Sequence, residues 1–596
     1  MINKLKILGE YVLKNEGDVN PFGLNVALDE ANVVVLEFTL DDEKCNFIRF
    51  DTIEYDQTKN NKILYKNAGG QTKSPFATYN AFFDRDETKT KANIQKSLKK
   101  FTATISNNTE VNSELKPMLN LLKNDESILQ LEDGIFELLS SEKSNLFTLK
   151  INSLHIGESP FFRPILEHYR SSKDEEYFSK YNKTSIGKDI HCYTCGEISE
   201  KLYGFCDTFK FYSANEAAYI AGGFKQKKTW KNYPVCPTCA NHLRLAREKL
   251  NKNLNRYFYG NKYFLIPTPT LDNGDFYENL LDIEDQFKDL ALSRSEENNQ
   301  QLRNELEENI LEILSKQKDQ ATFTFFFYKA SNSEFKILQE AEDILPSRFK
   351  KIIEAKIKVK DFDEFKDLKG LYKKGTSDNL SFNFGIIKTF FPSNFNNDFL
   401  DISTKILKGQ KMSKSFITHQ ISEHLSQGFR NEALYHDIEK AMLFLKFLYE
   451  LNLIEKTKGK MEVSMENKYE IYFQKHPEFY DADWKKAVFL TGVLAQNVMD
   501  IQYRDRKATP FRSRLNGLKL DTRAIKRLLP ESIEKLEQYK SNYYRELETA
   551  ISLLMESGEP ELKNQSVDEI SFYFAMGMNL NKQFKNKKEE KGEDNE

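Results

Sequence analysis

Two short cysteine knuckles restrict this chain more than any other feature. They are His191-Cys192-Tyr193-Thr194-Cys195-Gly196 and Val235-Cys236-Pro237-Thr238-Cys239-Ala240, with 40 residues between Cys195 and Cys236. Each C-x-x-C turns two thiolates toward one point, and two such turns complete the tetrahedral sulfur shell of a structural zinc ion. Cys192, Cys195, Cys236 and Cys239 are the expected ligands of one structural Zn2+. A segment folded around an ion needs little apolar core of its own, so residues 191–250 are expected to form a loop-rich zinc module. A redox-active thiol pair is the rival reading. Four thiolates leave no open coordination position, so such an ion would brace the fold and activate no water. Cys45 and Cys206 complete the six cysteines and read as buried thiols. So sparse a set, in a reducing compartment, favours metal ligation over disulfides.

With 596 residues the chain has room for three or four domains. The expected fold is multidomain α+β, with mixed α/β N-terminal and middle regions flanking the zinc module and an all-α C-terminal bundle. The expected boundaries are 1–190 for the N-terminal α+β region, 191–250 for the zinc module and 251–411 for the middle α+β region. A helical connector over 412–464, a helical bundle over 465–585 and a polar tail over 586–596 follow. In the first region, Val33 to Phe38 and Asn46 to Phe50 read as strands, and helices are expected near 90–104 and 110–124. Lys262 to Pro267 reads as a strand ended by proline, and 276–317 as one long helix-forming stretch. Thr322 to Tyr328 and Phe335 to Leu338 read as paired strands, and apolar spacing predicts one long helix through Ile533, Leu536, Tyr539, Leu547 and Leu554.

The composition is 39% hydrophobic and 30% charged, with a net charge of −3. No apolar run approaches the roughly 18 residues of a membrane span, and the first residues lack a signal-peptide pattern; a cytoplasmic protein with no membrane partner is expected. Near-neutral charge excludes a surface that is basic throughout, so nucleic-acid contact must come from local concentrations. The densest is Arg504, Arg506, Lys507, Arg512, Arg514, Lys519, Arg523, Lys526 and Arg527, opposed within the run only by Asp505 and Asp521. It predicts a nucleic-acid contact; the alternative is a set of helix faces paired with acids on neighbouring helices. Lys225, Lys227, Lys228, Trp230 and Lys231, between the knuckles, combine cations with an aromatic ring, which suits a phosphate backbone with exposed bases or a simply solvated loop. No phosphate-binding loop, nucleophile elbow or H-E-x-x-H pair is present. His419 and His424 are five residues apart and do not share a helix face. His436-Asp437 lacks the further ligands a phosphohydrolase would need. No catalytic residue is expected.

These features, in order, resemble a known family. The two knuckles, Ile344-Leu345-Pro346-Ser347-Arg348-Phe349-Lys350, Phe489-Leu490-Thr491-Gly492-Val493-Leu494 with Gln502, and Thr509-Pro510-Phe511-Arg512-Ser513-Arg514-Leu515-Asn516-Gly517-Leu518 are similar to the large subunit of the type I-B CRISPR Cascade effector complex, the Cas-eight-b or Csh type. The resemblance extends to Lys66, Asn67, Gly69, Gly70, Gln71 and Lys73, a candidate motif-reading loop. It implies a non-catalytic subunit that sits near the five-prime end of the guide RNA, helps recognise the protospacer-adjacent motif in double-stranded target DNA and holds the opened strands. Its implied partners are the guide RNA, the target DNA, the backbone, five-prime-end and small subunits, and a separate helicase–nuclease recruited after target binding. Some such systems make their small subunit from an internal start, and Met461 and Met465 stand just ahead of the expected bundle. The competing readings are a zinc-stapled metal-dependent nuclease and a zinc-bearing scaffold that binds only proteins.

Overall fold

The computed structural model describes residues 1–17, 30–56, 59–65, 76–180, 183–209, 220–221, 223–270, 275–292, 300–331, 335–360, 382–392, 396–431, 437–455, 461–541 and 544–584. The chain divides into two compact units, Met1–Lys249 and Leu250–Glu596.

The first unit begins with helix α1 (Ile2–Glu16) and is organised by a sheet of strands β1 (Glu30–Leu40), β2 (Cys45–Asp56), β3 (Tyr79–Asn80), β4 (Asn145–Ile151) and β5 (Leu154–His155). Their order is β2-β1-β4-β3, with β5 also on β4. β1 pairs antiparallel with β2 and parallel with β4, so it lies inside the sheet and is apolar on both faces. Val34, Leu36 and Phe38 enter the larger core, which helices α2 (Glu87–Asn108), α3 (Lys116–Leu122) and α4 (Asp125–Glu137) complete. Alternation sends Val33 and Val35 to the opposite face, against Tyr55, Tyr65 and Leu146. The helices begin where polar side chains cap them: Asp86 accepts from the Thr88 amide, and Asn124 from the Glu126 and Ser127 amides. Helix α5 (Arg163–Phe178) leads toward the cysteine module, which ends in α6 (Pro237–Asn253).

The second unit opens with an antiparallel sheet, β6 (Asn255–Phe258), β7 (Asn261–Pro269), β8 (Ala321–Ala330) and β9 (Phe335–Ile344), paired in chain order. Stacked rings line it: Phe264 on Tyr328 at 4.5 Å and Tyr328 on Phe335 at 4.8 Å between centroids. Proline does not end β7. The strand runs through Pro267 and Pro269 because β6 flanks it only as far as Phe264, and beyond that point the missing proline N–H has no strand to serve. The helix-forming stretch expected over 276–317 carries α7 (Asp275–Leu292) and α8 (Gln300–Ser315).

Helices follow from there: α9 (Pro346–Lys360), α10 (Phe384–Lys388), α11 (Asn396–Lys408), α12 (Lys414–Arg430), α13 (Asp437–Glu450), α14 (Lys468–Lys475), α15 (Asp483–Arg506), α16 (Thr522–Gln538), α17 (Arg545–Leu562) and α18 (Val567–Asn579). The long helix expected over 533–554 is broken in two between α16 and α17, where Lys540 takes φ 53° in the left-handed region. α15 is buried on every side through most of its length, and α16, α17 and α18 surround it. α15 and α18 touch backbone to backbone: a Cβ at Gly492 would lie 2.1 Å from the Phe574 carbonyl oxygen, and one at Gly577 1.8 Å from that of Phe489. The two lysines buried on α15 are paired. Lys485 meets Asp481 at 2.5 Å and Lys486 meets Glu470 at 3.1 Å, while burial draws the Lys485 ammonium pKa below its usual value. Among the described residues no helix is long and apolar enough to cross a membrane.

Candidate metal centre and nucleic-acid interface

The first knuckle is the tip of a hairpin between Ile190–His191 and Ile198–Ser199. The Cys192 amide donates to the Glu197 carbonyl at 2.8 Å and the Gly196 amide to the Cys192 carbonyl at 2.9 Å. Gly196 makes that reversal with φ 76°, where a side chain would be strained. The second knuckle follows Val235, which bridges Tyr203, and runs straight into α6. Pro237 opens the helix at a position whose N–H would have no partner, and Cys239 lies in the first turn. The Tyr193 amide donates to the Pro234 carbonyl at 2.8 Å and lays the two knuckles side by side.

The result is one cluster. The four sulfurs lie within 4.8 Å of one another, and Cys195 and Cys236 are 3.9 Å apart. Zinc–sulfur bonds of about 2.3 Å in a tetrahedron put sulfurs roughly 3.8 Å apart, so the observed spacing fits such an ion. Backbone amides point at the sulfurs, those of Thr194 and Cys236 at Cys192 and that of Cys239 at Cys236. The thiols compete for negative charge. A hydrogen bond from Cys239, helped by the amides, drives Cys192 down to about 4, while the same bond pushes Cys239 up and burial raises Cys236. A dication at the centre would end that competition by holding all four as thiolates. The remaining candidates stay outside. His191 points its Nδ1 at the Gly196 carbonyl, and burial pushes Cys206 and Cys45 up to about 12, marking both as neutral thiols.

The inter-knuckle cations fall on a short 3₁₀ helix, Gln226–Lys231. Lys225, Lys227, Lys228 and Lys231 are exposed. Trp230 is half-buried: its amide donates to Ser185 Oγ at 3.0 Å, and its ring packs on Gly187 with the Lys231 ammonium 5.5 Å from its centroid. The ring here that is more open to solvent is Phe224, 68% exposed with φ 60°, a residue that only the structure singles out.

The run from Arg504 to Arg527 covers the end of α15, a 3₁₀ stretch Pro510–Leu518 and the start of α16. Gln502, buried, accepts from the Phe511 amide at 2.9 Å and fixes the start of the 3₁₀ stretch. The run divides into two groups. Arg512 stacks 4.0 Å over the Phe429 ring and donates to the Phe429 carbonyl. Lys519 bonds Glu423, Lys526 bonds Glu559, and Arg527 meets Glu531 at 3.6 Å. Arg512, Lys519 and Lys526 thus tie neighbouring elements together, while Arg527 pairs within α16. Arg504, Arg506, Lys507, Arg514 and Arg523 are exposed. Of these five, Arg504 alone has an acidic neighbour among the described residues, Asp505 at 3.9 Å. Arg506 and Lys507 lie over Tyr539 and Tyr503.

A grouping that sequence spacing did not foretell joins His419 to Asp568 at 2.8 Å, with Glu423 nearby. Asp568 starts a distant helix, so sequence spacing carries no signal for it. Lys519 bonds Glu423 and stands 4.0 Å from Asp568, supplying the positive charge these carboxylates need. His424 pairs with Asp437 at 2.8 Å, while His436 lies outside the described residues. Lys66, Asn67, Gly69, Gly70, Gln71 and Lys73 also lie outside them.

An α+β unit carrying a closed four-sulfur centre, followed by an aromatic sheet and a helical bundle with exposed arginines, matches the domain series of a CRISPR-associated protein. The N-terminal domain of CRISPR-associated protein TM1802 (cas_TM1802) matches residues 1–168, its central domain 189–344 and its C-terminal domain 382–592. The chain belongs to this TM1802 family. All four cysteines fall in the central match and the Arg504–Arg527 run in the C-terminal one. No curated protein matches the chain.

Proposed function

We propose that the protein is the non-catalytic large subunit of a type I-B Cascade surveillance complex in the cytoplasm. In this reading it contributes to protospacer-adjacent-motif recognition, binds guide RNA and opened target DNA, and presents the assembly to a separate helicase–nuclease. The observation that carries the reading is the three-part family match over nearly the whole chain, in one order. Two features of the site support it. A centre of four thiolates has no position left for a substrate or a water, which suits a structural Zn2+ held by Cys192, Cys195, Cys236 and Cys239. In RNA-guided recognition base pairing reads the sequence, so the protein needs phosphate contacts and a short motif reader, not a base-reading surface of its own. Arg504, Arg506, Lys507, Arg514 and Arg523 are the proposed strand contacts, with Lys225, Lys227, Lys228 and Lys231 as a second set and Lys66 to Lys73 as the motif loop.

The test is purification of the native assembly. The reading expects guide RNA, backbone subunits and about one zinc per large subunit, and no cleavage of labelled DNA by the isolated chain with magnesium or manganese. Metal-dependent cleavage would instead favour the nuclease, and an assembly free of nucleic acid the protein-binding scaffold. An internal product starting at Met461 or Met465 would lack α12, whose Lys414 and His419 pair with Glu569 and Asp568 and whose Ser426 donates to the Gly517 carbonyl. Mass spectrometry of the assembly would reveal such a product directly.

A further inference from the structure

Helix α2 carries a charge pattern that neither the cysteine centre nor the Arg504–Arg527 run involves. One side packs Ile94, Leu98, Phe101 and Ile105 into the core of the first unit. A flank turned toward α4 is neutralised: Lys91 pairs with Glu87 at 3.5 Å and Asp133 at 3.3 Å, and Gln95 donates to Glu132. The solvent side is different. Lys89, Lys96, Lys99 and Lys100 are all exposed, and none has an acidic partner among the described residues. With 1.5 Å of rise per residue, Lys89, Lys96 and Lys100 form a row of about 16 Å along one side of the helix, since steps of seven and four residues both return to the same face. From Lys89 to Lys100 this face carries no acid, whereas a helix face meant only for solubility mixes signs; the exposed acids Asp84, Asp86 and Glu87 stand at its N-terminal edge.

At the N-terminal end of the row, the turn from β3 into α2 holds Phe82 at 61% and Phe83 at 44% exposure, next to each other. Two adjacent rings in water are unfavourable unless something covers them, and large apolar side chains beside unpaired lysines have a specific use. Nucleobases whose faces are open stack on such rings while the cations follow the backbone. In a duplex those faces are already covered, so the pairing of rings with lysines selects an unpaired strand.

We infer that the solvent face of α2 is a docking surface for single-stranded DNA, with Lys89, Lys96 and Lys100 on the phosphates and Phe82 and Phe83 stacked on the bases. The inference rests on the reading that this protein holds opened target DNA.

The experiment measures binding of the full-length protein to labelled 20-nucleotide oligo(dT) and oligo(U) by fluorescence anisotropy over a salt series. Each phosphate contact on a single strand contributes about 0.7 to the slope of log K against log salt. Lys89→Ala/Lys96→Ala/Lys100→Ala is expected to reduce the oligo(dT) slope by about 2. Phe82→Ala/Phe83→Ala is expected to weaken binding roughly fivefold or more with the slope unchanged. Lys91→Ala, on the paired flank of the same helix, is expected to leave the slope alone. An unchanged slope in the triple variant, with the unaltered protein binding normally, overturns the α2 face and leaves the proposed function standing. A loss confined to oligo(U) overturns it in favour of an RNA contact. Failure of the unaltered protein to bind oligo(dT) at all overturns both the face and the strand-holding part of the proposed function.

Discussion

The cysteine centre and the Arg504–Arg527 run both stood out in the sequence, and folding treated them in opposite ways. The four cysteines meet at one point. The nine cations divide, with Arg512 and Lys519 reaching back to a carbonyl and a carboxylate, Lys526 and Arg527 paired with acids at the surface, and the other five left to solvent. A metal centre is defined by the mutual geometry of its own ligands, so a spacing motif states it nearly completely. A basic surface is defined by what lies opposite each cation, and that partner is often a residue far away in sequence. Glu423 is 96 residues from Lys519 and Glu559 is 33 from Lys526.

The sharpest way to break this contrast is at the cysteines. Cys236→Ser/Cys239→Ser is expected to abolish stoichiometric zinc and to unfold residues 191–250, a loss on the order of 10 kcal/mol of local folding free energy. Metal analysis and proteolysis would register it, and Cys206→Ser is expected to change neither. Reversing the exposed group, Arg504→Glu/Arg514→Glu/Arg523→Glu, is expected to lower the salt-dependence slope for duplex DNA by about 2 to 3 with the melting temperature nearly unchanged. Arg512→Ala should do the reverse. It is expected to cost about 2 kcal/mol of stability, from a cation over a ring and a charged hydrogen bond, with little effect on the slope. Arg512→Lys should restore only part, because an ammonium lacks the planar fork that lies on Phe429.

The smallest effect concerns Glu559. Hydrogen bonds from Lys526 and then Lys563 hold its carboxyl at about 2, below the ordinary value. A carboxyl whose folded pKa is depressed contributes stability that is present above its unfolded pKa near 4.5 and is lost as pH falls toward 2. Both partners are exposed, so Glu559→Gln is expected to give a slightly lower melting temperature at pH 7 and no difference near pH 2.

Much of the fold was legible because it follows from periodicity. The β1 run Val33 to Phe38 could be read as a strand from its apolar content, interrupted only by Glu37, and the ring-rich Thr322 to Tyr328 as its counterpart in the second sheet. What escaped was set by neighbours. Pro267 looked like a strand end, yet it sits where β7 has lost its flanking strand, a fact that depends on how short β6 is. The continuous apolar spacing from Ile533 to Leu554 concealed a break, because a single left-handed residue, Lys540, turns the chain without disturbing the spacing. At the site, Trp230 was the expected stacking ring. Its sequence setting carried no sign that Ser185 and Gly187 would half-bury it and leave Phe224 outside. The lysines of α2 show the same limit, since Lys91 and Lys96 look alike until Asp133 is seen beside one of them.

The most direct measurement is R-loop formation by the assembled complex containing Arg504→Glu/Arg514→Glu/Arg523→Glu. The account predicts normal guide RNA content, normal zinc and a marked loss of R-loop yield that is largest at low salt and narrows as salt is raised. An unchanged yield with unchanged salt dependence would contradict it.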